Sequence, residues 1–399
     1  MIDNILERLD DGGRRRAGQS VRSLQIGIAW ATQGAGGSGR VFADLVRHLP
    51  ENGIEVSGVV SAPSDVSVRT NRQIDVFAPE GASMLARLRG ARQHLKSLLS
   101  NKTPDLIASH FALYTAPILD DLKRRKLVVH FHGPWAAESL QEDSNPVLSA
   151  LKKRIELAVY SRATRVIVLS RAFADILQCE YGIPENRIRI VPGAADISRF
   201  AIDCTRMQAR ERLGWPLDKR ILVTVRRLVN RMGLDRLIAA MAIVVANDPN
   251  TILYIAGKGR LRAALEERVS ALELTEHVRF LGYVSDDELP LIYRAADLNV
   301  VPTLALEGFG LVAVEALAAG TPSMVTPVGG LPEVISGLSP DLVLASASVE
   351  DIAQGISGVV SGSIALPSSS ACRSFAAEHY SVSRMVAEVA DVYREACAA

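Results

Sequence analysis

The segment from residue 298 to residue 320 passes from a buried strand to a helix and decides the fold class. It opens with Leu298-Asn299-Val300-Val301-Pro302, an apolar run that predicts a strand stopped by proline. It continues with Leu306-Glu307-Gly308-Phe309-Gly310-Leu311-Val312-Ala313-Val314-Glu315. The small and apolar residues from Val312 to Ala319 predict a helix that ends at Gly320. A strand followed at once by a helix is typical of an α/β fold with a parallel sheet.

Two glutamates of this segment, Glu307 and Glu315, flank the start of the predicted helix. Backbone N–H groups of Gly310, Leu311 and Val312 are free there and favour an anion such as a phosphate. Because carboxylates beside a phosphate would repel it, we expect the glutamates to bind hydroxyl groups. Hydroxyl groups next to a phosphate indicate a sugar nucleotide. The alternative is that Glu307 only complements the helix N-terminus and that Glu315 lies on a solvated face.

Strands and helices alternate along the whole chain of 399 residues, and this length predicts two α/β doubly wound domains. The strand runs are almost continuously apolar, as in a parallel sheet covered on both faces. In the first half the predicted strands are Leu24–Trp30, Ile54–Ser61, Asp105–His110, Leu127–Phe131, Arg165–Ser170 and Ile188–Val191. In the second half they are Ile221–Val225, Thr251–Ala256, Val278–Leu281, Leu298–Val301, Ser323–Thr326 and Leu342–Ala345. Residues 1–22 are predicted to be a loose tail, and the polar segment Ile202–Asp218 a linker region.

Composition argues against several functional classes. The chain is 48% hydrophobic and 22% charged with a formal net charge of +1, which gives no overall case for nucleic-acid binding. The four cysteines lack metal-ligand spacing, so we expect no metal site and a reducing, cytoplasmic location. The longest apolar run, residues 238–246, is too short to span a bilayer. The basic clusters 123–126 and 152–154 are either solvated helix faces or a peripheral contact with the anionic inner face of the membrane.

A glycine-rich loop follows the first predicted strand, where open α/β sheets bind ligands. Gly34, Gly36 and Gly39 form a GxGxxG pattern. The second strand ends Val59-Val60-Ser61, without the acidic residue that a nicotinamide oxidoreductase needs for the ribose, so that class is disfavoured. The loop is either a place where a pyrophosphate or acceptor approaches the backbone closely or a tight turn.

Cations and a histidine follow other predicted strands. Arg226 and Arg227 come directly after Ile221–Val225, and guanidinium groups match phosphate oxygens. His132 follows Leu127–Phe131 and precedes a Gly-Pro turn, so we expect its ring in a cleft or, alternatively, in a structural role. The segment 285–288 is a helix capping box to which we assign no chemistry.

As an ordered set these residues resemble glycosyltransferase family 4, the retaining GT-B enzymes also called glycosyl transferases group 1. The resemblance runs from residue 24 to about residue 396. It rests on Gly36-Gly37 with Arg40, His132-Gly133, Val191-Pro192-Gly193 with Asp196, Arg227-Leu228 with Gly233, Gly257 and Gly259, Phe280-Leu281-Gly282, Pro302 through Glu315, Ala319 to Pro322, and Gly329 to Glu333. It implies a GT-B fold, two Rossmann-like doubly wound domains facing each other across a cleft. Residues 23–200, completed by the C-terminal helix 382–399, would bind the acceptor, and residues 201–381 the nucleotide-sugar donor.

Carried over residue by residue, the resemblance implies three catalytic residues. Arg227 would contact the donor pyrophosphate, Glu307 the donor-sugar hydroxyls and His132 the sugar or its transferring centre. Glu315 would bind the ribose hydroxyls. The other residues implied to contact the nucleotide sugar are Gly36, Gly37, Gly257, Gly259, Phe309, Gly310 and Leu311.

One departure from the family pattern concerns charge. The lysine usual before Gly233 is Met232 here, and Arg231 or Arg226 is expected to supply the missing cation. The resemblance implies a retaining, metal-independent transferase without cofactor. It would move a sugar from a UDP- or GDP-type donor to a hydroxyl of a glycan, lipid-linked sugar or small molecule in bacterial polysaccharide, glycolipid or small glycoside synthesis. A nucleotide-sugar epimerase of GT-B architecture and a noncatalytic sugar-nucleotide-binding homologue are the alternatives.

Overall fold

Two fully parallel sheets form the framework of the computed structural model, which describes residues 20–30, 37–101, 103–142 and 145–399. The first sheet has the strand order β3-β2-β1-β4-β5-β6-β7 and the second β10-β9-β8-β11-β12. The first sheet contains β1 Val21–Ala29, β2 Ile54–Ser61, β3 Ile74–Ala78, β4 Leu106–Ser109, β5 Lys126–Phe131, β6 Arg165–Val168 and β7 Ile188–Ile190. The second contains β8 Arg220–Val225, β9 Thr251–Ala256, β10 Val278–Gly282, β11 Leu298–Val301 and β12 Ser323–Val325.

Helices connect the strands and cover the sheets. Those up to β8 are Gly37–His48, Asp65–Arg69, Met84–Asn101, Ala112–Thr115, Trp135–Gln141, Pro146–Tyr160, Arg171–Tyr181, Ile197–Phe200 and Arg206–Leu213. Those after β8 are Leu234–Asn247, Arg262–Ala271, Leu289–Ala295, Leu311–Ala318, Leu331–Ile335, Val349–Ser361, Ser369–His379 and Val382–Ala398. Short 3-10 turns occupy Leu49–Asn52, Ala116–Ile118, Asp121–Arg124, Glu185–Arg187, Asn230–Met232 and Pro340–Leu342.

The apolar character of the strands follows from this two-sided cover. All six residues of β9, for example, are buried. One core surrounds the second sheet, and two cores lie on the first. The last helix, Val382–Ala398, packs into a first-sheet core through Val386, Val389 and Tyr393. No helix among the residues described is both long and apolar enough to cross a membrane.

The structure corrects four expectations about the elements. Strand β3 was not predicted, because it is a short edge strand of five residues in which Asp75 and Val76 are only partly buried. The predicted strand Leu342–Ala345 is wrong, since only a single bridge joins Val343 to Val325. The first strand begins at Val21, inside the range expected to be tail, and residues 1–19 lie outside the described residues.

The expected linker Ile202–Asp218 contains a helix instead. Thr205 and Gln208 form a reciprocal capping box at its start, and Gly214 ends it with a φ of 64°. Arg210 of this helix is buried and donates from Nη2 to Asp297 Oδ2 at 2.6 Å, which ties the segment to the second sheet.

In each sheet, the strand order brings together two neighbouring strands whose following loops run in opposite directions. β1 lies next to β4, and β8 lies next to β11, so the loops that follow each pair leave the sheet edge toward opposite faces. In open parallel sheets such points form crevices that bind ligands. The loop after β8 carries Arg226 and Arg227, and the loop after β11 carries Glu307.

Candidate functional site

A cavity of about 670 Å³ lies between the two sheets. The first sheet contributes residues that follow β4 and β5, including His110 and His132, and the second contributes Arg226, Glu307 and Leu311. A neighbouring cavity of about 350 Å³ shares Arg226, Glu307 and Leu311 with it and extends to Glu315. The larger volume is in the range of roughly 300–1,000 Å³ that small-molecule sites occupy.

Glu307 is held by Arg226, and both side chains are largely buried. Arg226 donates from Nη2 to Glu307 Oε2 at 2.7 Å and to Thr303 Oγ1. The adjacency of β8 and β11 brings these side chains together, although they are 81 positions apart in sequence. Glu307 therefore does more than complement the helix N-terminus, since one of its oxygens forms a salt bridge at the cavity wall.

Gly257 fixes the backbone of Arg226. It has a φ of +139°, and a Cβ at this position would lie 1.8 Å from the Arg226 carbonyl oxygen. Gly259 similarly packs on the next turn of that loop, since its Cβ would lie 2.3 Å from the Leu228 carbonyl oxygen. Gly257 also lines the smaller cavity. Both glycines thus allow two loops to pack closely, and this role brings Arg226 to the site.

Glu315 is buried and accepts a hydrogen bond from a residue that belongs to the first sheet and its helices. Arg40 donates from Nη1 to Glu315 Oε1 at 2.5 Å, and Tyr293 donates from its hydroxyl to Oε2 at 3.3 Å. Burial raises the pKa of the Glu315 carboxyl, and the positive charge of Arg40 opposes this. The alternative reading of Glu315 as a solvated surface residue is wrong, because its side chain is only 4% exposed.

Asp286 belongs to the same group of charges. Arg40 donates from Nη2 to Asp286 Oδ1 at 2.6 Å, and Arg199 lies 3.3 Å from the same oxygen. The capping-box hydrogen bonds expected between Ser285 and Glu288 are present. Assigning no chemistry to this segment overlooked Asp286, because a local pattern does not show which distant arginine a side chain meets.

Two further arginines face the cavity from the loop after β8. Arg227 is 57% exposed, with Nη2 3.6 Å from Glu142 Oε1. Arg231 is only 8% exposed, donates from Nη1 to the Leu306 carbonyl at 3.1 Å, and lies 3.5 Å from both Glu138 and Glu142. Met232 is buried beside them. Arg231 is therefore the more enclosed cation of the two.

Glu138 and Glu142 are site residues that the sequence interpretation missed. They reach across the cleft to the arginines of the second sheet. Glu138 lies on the helix Trp135–Gln141 and Glu142 directly follows it, and their spacing of four positions, about one helical turn, was the available signal.

The start of the helix Leu311–Ala318 contributes backbone to the cavity. Gly310 precedes it with a φ of +93°, and a Cβ there would lie 2.3 Å from Leu331 Cδ2. The Phe309 ring is buried against Tyr380, with ring centroids 5.4 Å apart. Phe309 is thus an anchor for the turn, while Leu311 faces Gly37, whose Cβ would lie 3.8 Å from Leu311 Cδ2.

Gly37 begins the helix Gly37–His48 and lines both cavities. Gly36 lies outside the described residues, so the structure gives no position for it. The other predicted site residues are described, and all but Gly259 line one or both of the cavities.

His132 lines the cavity as part of a group of three histidines. Its Nε2 lies 3.2 Å from Nδ1 of His110, and the rings of His110 and His130 stack with centroids 4.2 Å apart. Burial lowers the pKa of His132 to about 4, and the pKa values of the other two lie well below the usual range for the same reason. All three rings are therefore neutral near neutral pH. Within the described ranges, no three or more His, Cys, Asp or Glu side chains are grouped so as to hold a metal ion.

Two family models match the chain side by side. The model described as Glycosyltransferase Family 4 matches residues 35–199, and the one described as Glycosyl transferases group 1 matches residues 205–378. Together they cover every strand of the two sheets except β1, Val21–Ala29, and nearly all of the cavity residues.

Curated relatives match over part of their length. Mannosylfructose-phosphate synthase of Agrobacterium fabrum is 34% identical over 236 residues, which are 56% of this chain and 50% of that protein. A D-inositol 3-phosphate glycosyltransferase of Nocardia farcinica is 32% identical over 266 residues, 64% of this chain and 58% of that protein. The chain thus spans about half the length of the curated relatives it matches.

Solved structures share the fold over nearly the whole chain. Sucrose-phosphate synthase from Thermosynechococcus elongatus superposes with a TM-score of 0.77 at 21% identity, covering 94% of this chain and 98% of that one. HepE of Anabaena, in complex with UDP and glucose, superposes with a TM-score of 0.74 at 19% identity, covering 94% and 100%. Two sheets that face each other across a cavity, matched in order by both family models, place this chain in glycosyltransferase family 4, with the GT-B fold.

Proposed function

We propose that the protein transfers a sugar from a nucleoside-diphosphate sugar to an acceptor hydroxyl with retention of the anomeric configuration. The observation that carries this proposal is the meeting of Arg226, Arg227 and Arg231 with Glu307 and the N-terminus of the helix Leu311–Ala318 at one cavity. Cations and a helix N-terminus stabilise a diphosphate, and carboxylates orient hydroxyls.

The donor is proposed to lie along the two connected cavities. Glu315 would accept hydrogen bonds from the ribose hydroxyls, and Glu307 from the hydroxyls of the transferred sugar. Glu307 Oε2 is held by Arg226, and Oε1 accepts no hydrogen bond from the described part of the chain. That oxygen is the one proposed to meet the sugar.

The leaving diphosphate is proposed to be stabilised by Arg227 and Arg231. The family pattern has lysine at the position of Met232. Arg231 is the preceding residue, and the Arg231 side chain lines the cavity. The electrostatic attraction of such a preorganised, mostly desolvated cation increases as negative charge develops on the leaving group. No protein nucleophile and no metal ion are part of the proposal.

The proposed chemical step is a front-face substitution at the anomeric carbon. The bond from this carbon to the donor phosphate oxygen breaks, and a bond to the acceptor oxygen forms on the same face. The acceptor's hydroxyl proton passes to the departing phosphate oxygen. His132 lines the cavity on the side of the first sheet. It is proposed to accept a hydrogen bond from a sugar hydroxyl and so to hold the sugar in position for the reaction.

The acceptor is proposed to enter from the side of the first sheet. The names of the relatives above 30% identity make phosphorylated sugars and inositol phosphates the first acceptors to test. The cytoplasm, or the cytoplasmic face of a membrane, is the proposed location, because the four cysteines are scattered without metal-ligand spacing, which suits a reducing compartment.

The experiment is a proton NMR time course with a donor sugar and a panel of such acceptors. The first-formed product should carry the same anomeric configuration as the donor, read from the coupling of the anomeric proton. A product of opposite configuration would exclude the retaining mechanism. Interconversion of the donor without acceptor would identify an epimerase instead.

A further inference from the structure

A buried chain of hydrogen bonds leads from a backbone carbonyl of the first sheet to His132. Ser23 donates from Oγ to the Glu55 carbonyl at 3.2 Å, and Gln25 donates from Nε2 to Ser23 Oγ at 3.1 Å. Nε2 of His110 lies 2.9 Å from Gln25 Oε1, and Nδ1 of His110 lies 3.2 Å from Nε2 of His132. Ser23, Gln25 and His110 are all buried.

The carbonyl at one end fixes the direction of each hydrogen bond. The Ser23 hydroxyl has one proton and gives it to the Glu55 carbonyl, so Ser23 Oγ must accept from Gln25, and the amide orientation of Gln25 follows. Gln25 Oε1 can then only accept, so the proton of neutral His110 is on Nε2. Nδ1 of His110 is therefore an acceptor, and the proton that it receives comes from Nε2 of His132.

A second branch ends on the same oxygen of Gln25. Tyr393, on the C-terminal helix, donates from its hydroxyl to Gln25 Oε1 at 3.1 Å. Nε2 of His130 lies 2.8 Å from the Tyr393 hydroxyl oxygen and must donate to it. This branch supports the orientation of Gln25 without touching His132 and so provides a matched control.

We infer that Gln25 and His110 are positioning residues that hold His132 in the Nε2–H tautomer, leaving Nδ1 of His132 to accept a hydrogen bond from a substrate hydroxyl. The inference rests on the proposed function for the identity of the substrate, but the tautomer is a property of the protein alone. Neutral histidine suits this role, since an imidazolium would have no acceptor.

The experiment is a long-range proton–nitrogen NMR correlation on protein with ¹⁵N-labelled histidine, near neutral pH and without substrate. His132 is assigned from the signals lost in His132→Gln. The wild-type protein should show protonated Nε2 and unprotonated Nδ1 for both His110 and His132. Gln25→Met removes the acceptor at similar volume, and His132 should then populate both tautomers. Tyr393→Phe should leave the His132 signals unchanged.

A protonated Nδ1 on His132 in the wild-type protein would overturn the inference, even if Gln25→Met does not fold. Unchanged His132 signals in Gln25→Met would overturn it as well. In the transfer assay, Gln25→Met should lower kcat about tenfold, the usual effect of losing one hydrogen bond at a reacting group. The expected tautomers together with no transfer from any donor would leave the inference standing and reject the proposed function.

Discussion

Arg40 Nη1 donates a hydrogen bond of 2.5 Å to Glu315 Oε1 and so joins the helix Gly37–His48 to the carboxylate proposed for the donor ribose. The pair connects the two sides of the cleft across 275 positions of sequence. Burial raises the pKa of the Glu315 carboxyl, and the positive charge of Arg40 is the largest influence that opposes this rise. Arg40 thereby favours the charged form of Glu315, which is the better hydrogen-bond acceptor.

Replacing Arg40 is expected to shift the pH dependence of donor binding. Burial holds the pKa of Glu315 above its usual value, and Arg40→Met should raise that pKa further. Protonation removes the negative charge of Glu315 and makes it a weaker hydrogen-bond acceptor. The affinity for the donor should therefore fall as the pH is lowered through this pKa. The fall should begin at higher pH in Arg40→Met than in the wild type, as measured by titration calorimetry between mildly acidic and neutral pH. Arg47→Met, on the same helix but paired with Asp44, is the control.

Replacing Arg231 tests which cation serves the leaving group. Arg231→Gln should lower kcat about 100-fold, because one preorganised donor to the developing charge is lost. Met232→Lys, added to Arg231→Gln, should restore part of this loss, since Met232 lines the same cavity. Steady-state kinetics with a saturating donor measure both effects. Arg236→Gln is the control, as Arg236 instead donates to the Ala347 carbonyl. Wild-type kcat in Arg231→Gln would assign the role to another residue.

Replacing Glu142 is expected to strengthen donor binding. Its carboxylate lies 3.6 Å from Arg227 and 3.5 Å from Arg231, and it competes with a diphosphate for both cations. Glu142→Gln should therefore lower the Kd of the donor a few-fold, with a smaller change at high salt, where charges are screened. Glu185→Gln, whose partner Arg171 lies away from the cleft cavities, should leave Kd unchanged. Weaker binding in Glu142→Gln would mean that the glutamate organises the arginines and does not compete for them.

The effects of replacing Arg226 and Glu307 on the free energy of unfolding should be strongly coupled. Both side chains are largely buried, so removing one partner leaves an unpaired charge. Arg226→Met should cost about 3 kcal/mol of unfolding free energy. The double variant Arg226→Met with Glu307→Gln should cost less than the sum of the single variants, as followed by circular dichroism in urea. Additive losses would show that the two residues stabilise the fold independently.

Much of the architecture could be predicted because its signals are local. Apolar runs identify eleven of the twelve strands, and proline or glycine marks several of their ends. The edge strand Ile74–Ala78 was missed because it is only five residues long and is interrupted by Asp75. The helix Arg206–Leu213 was missed because its residues are mostly polar. These elements are stabilised by tertiary contacts that a short window of sequence does not contain.

The site could be predicted only in part for the same reason. Glu307, Arg226 and His132 were identifiable because each follows a strand at the edge where α/β sheets bind ligands. Their partners were not identifiable, because the contacts join residues from opposite sheets or distant loops. Arg40 with Glu315, and Arg231 with Glu138, are fixed by how the two sheets face each other.

The central claim, that the cleft binds a nucleoside-diphosphate sugar, is tested most directly by thermal unfolding of the wild-type protein with UDP-, GDP- and ADP-sugars. One donor class should raise Tm in a concentration-dependent manner, because a ligand that binds only the folded state stabilises it. The shift should disappear in Glu315→Leu if that variant keeps its ligand-free Tm, and in Arg231→Gln it should be reduced. No stabilisation by any of these sugars, or equal stabilisation of the wild type and both variants, would contradict the account.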